Sequence, residues 1–526
     1  MEYIVNAEEM RLADINTSRV FGLSGAVLME RAALEVVNAI MSDHAGKGLN
    51  SAPRVLIFAG AGGNGGDGMA VARILHQRGL QTLLVTVGEI ADLSPAARDQ
   101  LDTAMKYSVP LICLRQTDEV EAVRMVTEWR FDYVVDAIFG TGVSRPLSGI
   151  QAAAVSLINL LTDKENGGLT CVSIDMPSGI NSDNGEVCGI AVKADLTVTM
   201  NHKKRGLVLY PGTAYAGRII KADAGITAES FLERLPSVRA YSEAPEELLP
   251  PRNGSFNKGD YGKLLIIAGN GCIGGAAILC ARGAMAVGAG MTKVFTEKKN
   301  RTALLSTVPE TLVDVWDEEE PVDRTLERLG NILPWAGACV IGPGIGTDER
   351  AKAMLGLVLD ECEIPLVIDA DAINIISGNE EFKESLRAYA EKGVQPVLTP
   401  HVGEFARLSG MEIADVKKDV VDAARRTAGD LKCTLLLKDS RSVTAQAGRD
   451  ESVINLTGNS GMATAGSGDV LAGMIGALSL RGTKIGDPAS VGAYIHGIAG
   501  DAAAAVLGEA AMSAGDIADA VKEVFR

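Results

Sequence analysis

A glycine-rich loop over residues 60–68 is the first segment whose composition suggests chemistry. Its sequence, GAGGNGGDG, holds six glycines with Asn64 and Asp67, and it lies between the apolar run RVLIFAG and the helix-like segment DGMAVARIL. Glycines permit a left-handed backbone and let N–H groups approach a ligand, and a helix N-terminus adds partial positive charge. The loop lacks the lysine of a P-loop. We predict a ligand-binding loop here; a structural tight turn is the alternative.

Two acidic residues follow β-branched runs in the same half of the chain. Asp136 lies in YVVDAIFGTG and Asp175 in VSIDMPSGINSDNG. Because the carboxyl ends of parallel strands meet at one edge of a sheet, we expect Asn64, Asp136 and Asp175 to face one pocket, beside the flexible segment GTGVSRP at 140–146. Each acid could instead cap the turn after its strand. With Ser178 the set offers only oxygen ligands, which suit a hard cation rather than zinc or copper.

The segment NSGMATAGSGDVLAGMIGAL carries the strongest signal in the second half of the chain. Gly466 and Gly468 precede Asp469 at the start of a long apolar helix. Backbone N–H groups and the helix dipole would there meet a phosphate beside one carboxylate. Since a carboxylate opposes anion binding unless it has a chemical task, we predict a general base next to a phosphoryl group. A helix N-cap is the alternative.

Two more strand ends in this half carry polar side chains. His401 follows the run PVLTP, where a histidine is either a plain loop residue or a ligand contact. Asp369, Asp371 and Asn374 lie in VIDADAIN. They could hold magnesium through water or cap the following helix.

Short β-branched runs alternate with helix-length amphipathic segments and would position these residues. After two predicted helices in residues 1–45, the first half contains the runs RVLIFAG, QTLLVTVG, YVVDAIFG, CVSIDMPSG and DLTVTM. The second half contains YGKLLIIAGN, MTKVFTE, ACVIGPGIG, PLVIDADAI, PVLTPH and TLLLK, and then long helices rich in small residues. This alternation predicts βαβ crossovers and, in each half, an α/β fold with a mainly parallel sheet covered on both faces.

A change of composition separates the two series. Between about Leu235 and Gly259 the chain is poor in β-branched residues and rich in Pro, Glu and Ser, which predicts a linker. The 526 residues are also too many for one ordinary core. We predict domains over residues 1–235 and 245–526, and we expect the two halves to share only their fold class.

Charge and composition argue against several partners and locations. The formal net charge of −17 repels polyanions, so we expect neither nucleic acid nor a membrane as a partner. The 8 cysteines form no C-x-x-C pair and most lie in apolar runs, as reduced thiols of a cytoplasmic protein do. The acidic, amphipathic start MEYIVNAEEMRLADI predicts no secretory signal, and the least polar stretch is interrupted by Arg282, so no membrane span is expected.

The order of GAGGNGGDG, VVDAIFGTG and IDMPSG behind two helices resembles the NAD(P)H-hydrate epimerases over residues 1–230. The resemblance implies a Rossmann-like three-layer fold, interconversion of the R and S forms of hydrated NADH and NADPH (NADHX and NADPHX), and a bound potassium ion. It implies Asp175 as the catalytic acid/base and Asn64, Asp136 and Ser178 as potassium ligands. The implied substrate contacts are Gly63, Asn64, Gly65, Gly66, Asp67, Gly140, Thr141, Gly142, Val143, Ser144, Arg145, Pro146 and Asp175. Gly63 replaces an asparagine that the family usually carries, so we expect an altered substrate contact there.

The G-x-G-D pattern before a helix, with NKGDYGKLLIIAG, IGPGIG, VIDADAIN and LTPHVGE upstream, resembles the ADP-dependent NAD(P)H-hydrate dehydratases of the ribokinase-like group over residues 245–526. The resemblance implies a ribokinase-like α/β fold with Asp469 as the catalytic residue. Implied contacts to the hydrated nucleotide are Ala276, Gly346, His401 and Asp469. Implied contacts to the adenine nucleotide are Lys438, Asp439, Ser440, Arg441, Ser442 and Gly468. Asp439 stands where the family usually has glycine, and Ser442 where it has threonine, so a negative charge lies where phosphate is expected.

Together the two resemblances imply a fused metabolite-repair enzyme. The first domain would epimerise NADHX and NADPHX, and the second would dehydrate the S form at the expense of ADP, giving NAD(P)H, AMP and phosphate. Potassium would serve the first site and magnesium the second, and we expect a homo-oligomer. The alternative is a ribokinase-like kinase for a small alcohol, fused to a non-catalytic nucleotide-binding module.

Overall fold

The computed structural model describes residues 1–49, 51–127, 131–166 and 168–525. The chain divides into two compact units, one spanning Tyr3–Ser237 and the other Val238–Arg526 together with Met1–Glu2. Each unit contains a largely parallel sheet with helices between its strands, so the predicted α/β class is confirmed.

The first unit contains a seven-stranded sheet with the order β4-β3-β2-β5-β6-β7-β9, in which every neighbouring pair is parallel. The strands are β1 (Glu2–Val5), β2 (Val55–Ala59), β3 (Thr82–Val87), β4 (Leu111–Leu114), β5 (Tyr133–Ala137), β6 (Thr170–Ile174), β7 (Leu196–Met200), β8 (Lys203–Lys204) and β9 (Arg218–Ala222). The helices are α1 (Ala7–Arg19), α2 (Gly25–Gly46), α3 (Gly63–Gln77), α4 (Pro95–Lys106), α5 (Val120–Thr127), α6 (Gly149–Leu161), α7 (Arg205–Val208) and α8 (Thr213–Ala216).

Strand β2 shows why this unit has three layers. All five of its residues are buried, because successive side chains of a strand point to opposite faces and both faces are covered. Ile57 packs in the core cluster formed with α2, α3 and α4, whereas Phe58 packs in the cluster formed with α6. The three-layer arrangement expected for the first unit is therefore present.

The second unit has the strand order β13-β12-β11-β14-β15-β16-β17-β18-β19-β10; the pairs are parallel except those of β18 with β17 and β19. The strands are β10 (Val238–Ala240), β11 (Lys263–Ile267), β12 (Met291–Glu297), β13 (Leu312–Trp316), β14 (Ala338–Ile341), β15 (Leu366–Ile368), β16 (Val397–Leu398), β17 (Thr434–Leu437), β18 (Val443–Gln446) and β19 (Ser452–Ile454). The helices are α9 (Pro245–Leu248), α10 (Gly274–Ala286), α11 (Arg301–Thr307), α12 (Val322–Ile332), α13 (Glu349–Glu361), α14 (Asp371–Ser377), α15 (Glu380–Glu391), α16 (Val402–Ser409), α17 (Ile413–Lys418), α18 (Val420–Leu431), α19 (Ser467–Arg481), α20 (Pro488–Leu507) and α21 (Ala514–Val524).

The two sheets share more than their class, and our expectation on this point is wrong. The order β4-β3-β2-β5-β6-β7 in one unit and β13-β12-β11-β14-β15-β16 in the other follow the chain in the same way. In the first unit β2 lies between β3 and the later strand β5, and in the second unit β11 lies between β12 and the later strand β14. Such a reversal of strand order opens a crevice at the carboxyl edge, where doubly wound sheets bind ligands.

The segment predicted as a linker is only partly one. It contains β10 and α9, and Tyr241, Leu248 and Leu249 are buried in the core of the second unit. Tyr241 also shares a hydrogen bond of 2.8 Å with the hydroxyl of Ser490. The linker prediction is therefore wrong for these residues, because their few apolar side chains are enough to anchor a segment that is otherwise polar.

Helix α20 lies in the core of the second unit. Among the described residues it is the one helix long and apolar enough to cross a membrane by length and composition, and 56% of its most apolar window is buried inside the protein. Its buried small and β-branched residues join the same core cluster as those of α19 and α21. Burial within the fold accounts for its apolar composition.

Candidate functional sites

The glycine-rich loop of the first unit differs from our expectation in its backbone. Helix α3 begins at Gly63, so much of the motif is helical, and none of its glycines has a left-handed φ. Close packing explains the glycines instead: a Cβ on Gly65 would lie 1.8 Å from the carbonyl oxygen of Gly60, and one on Gly60 would lie 2.1 Å from that of Ile138. By contrast, Gly62 and Gly63 have nothing within 4 Å of a Cβ position. Open space at the start of α3 is therefore available to a ligand.

Asn64 and Asp175 both lie close to Gly140. A Cβ on Gly140 would be 3.3 Å from Asn64 Oδ1 and 3.3 Å from Asp175 Oδ2. Asn64 Nδ2 is buried and has no hydrogen-bond partner within the described residues. Buried polar atoms are nearly always satisfied in native proteins, by protein, water or ligand. The space beside Gly140 is thus lined by polar atoms with unused bonding capacity.

Asp175 turns its other carboxylate oxygen towards a lysine that the sequence analysis missed. The side chain of Lys204 is fully buried, and its Nζ donates hydrogen bonds to Asp175 Oδ1, to Thr199 Oγ1 at 3.0 Å and to the Met200 carbonyl at 3.1 Å. The Met200 N–H also donates to Oδ1, at 3.2 Å. Lys204 escaped notice because a lysine inside the basic run HKKR is typical of a solvated surface.

Asp67 is a second carboxyl group in this region with a different environment. Burial raises its pKa well above the ordinary value, the negative charges of Asp175 and Asp14 raise it further, and Lys204 opposes them. Two carboxyl groups, one paired with an ammonium and one whose burial favours the protonated form, are suited to act as base and acid respectively.

Asp136 is completely buried and both of its oxygens are occupied. Oδ1 accepts hydrogen bonds from Ser178 Oγ at 2.5 Å and the Ile138 N–H at 3.3 Å, while Oδ2 accepts from Ser173 Oγ at 2.9 Å and the Ser178 N–H at 2.8 Å. Ser178 Oγ also accepts from the Phe139 N–H at 2.9 Å. Asp136 therefore ties the turn after β6 to the turn after β5, which is the turn-capping role that we considered as its alternative.

Four of the seven residues in the rim segment 140–146 are exposed, Gly140 and Thr141 are partly buried, and Val143 is buried. Val143 is only 6% exposed, so any contact that it makes with a ligand would come from its backbone. Ser182 Oγ donates a hydrogen bond of 3.0 Å to the Thr141 carbonyl and fixes the start of the segment. The side chains of Ser144 and Arg145 face solvent.

Asp469 of the second unit has the electrostatic environment expected of a base that works near neutral pH. It is the third residue of α19. Burial raises its pKa to about 7, with Asp369 and Asp371 adding to the rise and Lys438 opposing it. A carboxylate with a pKa near the working pH combines basicity with availability of the unprotonated form.

The start of α19 lies against Lys438. Gly466, the residue before the helix, has a left-handed φ of 89°, and a Cβ on Gly468 would lie 3.2 Å from Lys438 Nζ. His496, which the sequence analysis did not single out, is buried nearby. Burial and the charge of Lys438 lower its pKa to about 4, whereas a hydrogen bond with the Ser467 backbone opposes this, so the imidazole is neutral at pH 7. The helix start is therefore supported by an uncharged side chain.

The two acids of VIDADAIN contact neighbouring loops and do not cap α14, which has no side-chain cap. Asp369 Oδ1 accepts hydrogen bonds from Thr399 Oγ1 at 2.7 Å and from Lys438 Nζ at 2.8 Å. Asp371 Oδ2 accepts from the Gly346 N–H at 2.8 Å. The helix-capping alternative is thus wrong for both. Within the described residues no group of three or more His, Cys, Asp or Glu side chains is arranged to hold a metal.

The remaining predicted contacts of this unit lie at the starts of α16 and α10 and between β17 and β18. His401 precedes α16 and caps it, its Nδ1 accepting from the Gly403 N–H at 3.0 Å, yet its side chain is 58% exposed. Ala276 lies in the first turn of α10. The predicted adenine-nucleotide contacts Lys438, Asp439, Ser440, Arg441 and Ser442 form the turn between β17 and β18. In it, the Asp439 carboxylate accepts a 2.8 Å hydrogen bond from the Ser440 N–H.

Each unit thus places a carboxylate and a lysine at the carboxyl edge of a parallel sheet, beside the start of a glycine-rich helix; Lys204 is fully buried and Lys438 is 20% exposed. This arrangement defines an α/β enzyme with two sites that suit nucleotide chemistry. A family model described as NAD(P)H-hydrate dehydratase matches residues 264–523, and one described as YjeF-related protein N-terminus matches residues 25–206. The chain belongs to the family of bifunctional NAD(P)H-hydrate repair enzymes.

Similar proteins extend over the whole chain. The bifunctional NAD(P)H-hydrate repair enzyme Nnr of Moorella thermoacetica is 35% identical over 100% of this chain and 97% of its own length. The enzyme of the same name from Escherichia coli K12 is 30% identical over 98% of this chain and 93% of its own. Among solved structures, an ADP/ATP-dependent NAD(P)H-hydrate dehydratase of Bacillus subtilis co-crystallised with ATP and Mg²⁺ is 26% identical, covers 53% of this chain and 95% of its own, and superposes with a TM-score of 0.46.

Proposed function

We propose that the protein repairs NADHX and NADPHX at two sites, assigned to the predicted domains at residues 1–235 and 245–526. The first site epimerises the hydrate, and the second dehydrates its S form with ADP, releasing NAD(P)H, AMP and phosphate. One observation carries this proposal: each unit holds an acid suited to proton transfer at the carboxyl edge of its sheet. These acids are Asp175, whose Oδ2 faces the space beside Gly140, and Asp469, whose pKa is about 7.

The chemistry of the first site requires a base and an acid. Water adds to an enamine so that the hydroxyl resides on the carbon bonded to nitrogen. Asp175 Oδ2 removes the hydroxyl proton, a carbonyl forms, and the carbon–nitrogen bond breaks with its electron pair going to nitrogen. Asp67, whose burial favours the protonated form, supplies a proton to that nitrogen. Reclosure on the opposite face of the carbonyl reverses these transfers and yields the other epimer.

The first site also suits a monovalent cation. Asp136 is buried without a basic partner in the described part of the chain, and neutral donors alone hold it. Burial raises its pKa, and the hydrogen bonds of Ser178 oppose that rise. A buried carboxylate with no countercharge is costly, so a nearby cation would stabilise its ionised form. We assign potassium to Asn64, Asp136 and Ser178, where its charge would help to hold the substrate oxygen. Asn64 would use Oδ1, which lines the space beside Gly140, and Asp136 would exchange one of its four hydrogen bonds for the ion.

The second site combines a base with phosphate-binding groups. Asp469 takes the proton of the ring hydroxyl while that oxygen bonds to the β-phosphorus of ADP and the bond from phosphorus to the bridging oxygen breaks, which releases AMP. Phosphate is a better leaving group than hydroxide, so the carbon–oxygen bond then breaks with its electron pair going to phosphate. A neighbouring carbon gives its proton to the departing phosphate, and the double bond returns. Lys438 and the N–H groups at Gly468 bind the phosphates.

Magnesium would accompany the nucleotide at this site. Asp369 and Asp371 lie near enough to Asp469 to influence its pKa, and each is already hydrogen-bonded to protein. Their carboxylates therefore suit contact through water rather than direct coordination, which is also how Mg²⁺ is commonly held. The ion would neutralise charge on the transferring phosphoryl group.

We also propose a cytoplasmic location and a homo-oligomeric state. All eight cysteines are free and six of them are buried, as in a reducing compartment. Val20 and Phe21, between α1 and α2, are 60% and 49% exposed, and adjacent exposed apolar residues suit a contact between copies.

The decisive experiment incubates the purified protein with NADHX, with and without ADP. We expect the absorbance of the dihydronicotinamide ring to return only with ADP, together with one inorganic phosphate for each NADH formed. Separating the epimers by chromatography then shows whether the first site equilibrates R and S without ADP. A small-alcohol kinase would leave NADHX unchanged and would release no phosphate, and that outcome would contradict the proposal.

A further inference from the structure

The second unit contains a glycine pattern that the proposed chemistry does not use. Gly269, Gly271 and Gly274 have the spacing G-x-G-x-x-G in the loop between β11 and α10. Strand β11 is the one at which the strand order reverses, with β12 on one side and β14 on the other. Doubly wound sheets bind dinucleotides at such a loop, with the pyrophosphate at the helix start and an acid at the end of the second strand on the ribose 2′-hydroxyl.

Glu297 occupies the position of that acid. It is the last residue of β12 and is only 3% exposed. A Cβ on Gly271 would lie 2.7 Å from Glu297 Oε2, so the loop passes directly over the carboxylate. Oε1 lies 3.1 Å from Lys299 Nζ in an ion pair, and this buried oxygen has no hydrogen-bond partner among the residues that the structure describes. Asn300 Nδ2 holds the loop in place through the carbonyl of Gly269, at 3.1 Å.

Lys298 and Lys299, the two lysines that directly follow Glu297, already have acidic partners. Lys299 also pairs with Glu318 at 2.8 Å, and Lys298 pairs with Asp317 at 2.8 Å. A ribose 2′-phosphate would therefore meet a buried carboxylate and two neutralised lysines. A 2′-hydroxyl, in contrast, could donate a hydrogen bond to the Glu297 carboxylate.

The distance between this edge and Asp469 suits a dinucleotide. Asp369, a close neighbour of Asp469, follows β15, which lies three positions from β12 in the sheet. At the usual strand spacing this separation is roughly 14 Å. An extended dinucleotide with its hydrated ring at Asp469 can thus reach Glu297 with its adenosine ribose, crossing α10 near Ala276.

We propose that Glu297 binds the 2′-hydroxyl of the adenosine ribose and makes the dehydratase site prefer NADHX to NADPHX. This inference rests on the dehydratase function proposed for the second unit. The 2′-phosphate of NADPHX both removes the hydroxyl donor and places negative charge against the carboxylate, so selection is partly by repulsion. Glu297 would act on substrate binding and leave the phosphoryl-transfer step unchanged.

The test compares kcat/KM for the S forms of NADHX and NADPHX at saturating ADP. In the wild type we expect a preference for NADHX of about 10-fold or more, since a site built to hydrogen-bond a hydroxyl discriminates strongly against its absence. Glu297→Gln should bring the ratio close to one, mainly through KM. The matched control is Glu318→Gln, which removes the other acidic partner of Lys299 at a side chain that is 68% exposed and should keep the wild-type ratio.

Each result decides the proposal. Equal kcat/KM values for the two substrates in the wild type would overturn it without reference to any variant, so it does not depend on how well Glu297→Gln folds. A wild-type ratio in Glu297→Gln, or a loss of the ratio in Glu318→Gln, would also overturn it. If the wild type returned no NADH from either substrate, the dehydratase function itself would be wrong, and this inference would fall with it.

Discussion

Asp175 and Lys204 form an ion pair that engages only one oxygen of the carboxylate. The fully buried ammonium donates to Oδ1, while Oδ2 faces the space beside Gly140. The lysine thereby fixes the orientation of Asp175 and compensates its charge. Asp175 itself has a left-handed φ of 65°, a backbone conformation that is uncommon for residues other than glycine. The lysine and the backbone conformation together fix the carboxylate so that one oxygen remains beside Gly140, and this leads to the first prediction.

Replacing Asp175 with Asn should abolish most epimerisation while leaving substrate binding. Asparagine keeps the shape but has no basic oxygen, so we expect kcat to fall by about two orders of magnitude or more. The measurement is the rate of exchange between epimers at saturating substrate. Glu186→Gln, at an exposed carboxylate further along the same loop, is the control and should match the wild type. A near-normal rate in Asp175→Asn would mean that Asp175 has only a structural role and that Asp67 or a water molecule acts as the base.

Gly140→Ala should block the first site without unfolding it. The new methyl group would stand 3.3 Å from both Asn64 Oδ1 and Asp175 Oδ2, in the space that we assign to substrate. We expect epimerase kcat/KM to fall by about 10-fold or more, since displacing a reacting group by about 1 Å can cost as much as 10²-fold. Gly46→Ala, at the exposed end of α2, is the matched control, because a Cβ there also has nothing within 4 Å. Equal activities of the two variants would place the substrate elsewhere.

Lys204→Met should destabilise the first unit. Removing one partner of a buried ion pair leaves the other uncompensated, which typically costs 3–5 kcal/mol; because Asp175 keeps 15% of its side chain exposed, we expect about 3 kcal/mol. Urea unfolding of the full chain, with hydrogen exchange of peptides from Tyr3–Ser237, measures this loss. Adding Asp175→Asn should restore part of the stability. If the double variant were no more stable than Lys204→Met, the ion pair would not be the cause.

Dehydration should depend on pH through Asp469. A base must be unprotonated to accept a proton, so with a pKa of about 7 we expect kcat/KM to fall on the acid side of pH 7 and to level off above it. In Asp469→Asn the dehydration rate should fall by about 10²–10⁴-fold. Epimerisation should be unchanged, since Asp175 and Asp469 lie in different units. A pH profile that is flat from pH 5 to 9, or an Asn variant within about tenfold of the wild type, would contradict the assignment.

Potassium should support the first site, and sodium should replace it poorly. Oxygen ligands from Asn64, Asp136 and Ser178 favour a weakly hydrated hard cation, and Asp136 supplies the only charge among the three. Epimerisation measured in potassium, sodium and choline buffers at equal ionic strength tests this, with dehydration by the second unit as the internal control. Asp136→Ala should remove the difference between the buffers. Equal epimerisation rates of the wild type in all three would rule out a potassium requirement.

Much of the architecture follows from local sequence. The runs RVLIFAG and YVVDAIFG form β2 and β5 where expected, and the small-residue segment after Asp469 forms α19. Their length, β-branched content and flanking glycines are properties of a few adjacent residues, so the pattern alone determines the element. The α/β class of both halves and the resemblance to the NAD(P)H-hydrate repair enzymes depended on such segments, and both are confirmed.

Other features depend on which distant segments meet, and only the tertiary structure decided them. A glycine is required at position 60 because a Cβ there would collide with the backbone of Ile138. Tyr241 is buried because it packs in the core of the second unit, where its hydroxyl shares a hydrogen bond with Ser490. The pairing of Lys204 with Asp175 and the position of Glu297 under Gly271 likewise join residues that are 29 and 26 positions apart. Sequence pattern encodes backbone preference over a few residues, whereas burial, ion pairing and pKa shifts are set by the dielectric and charges that folding gathers around a group.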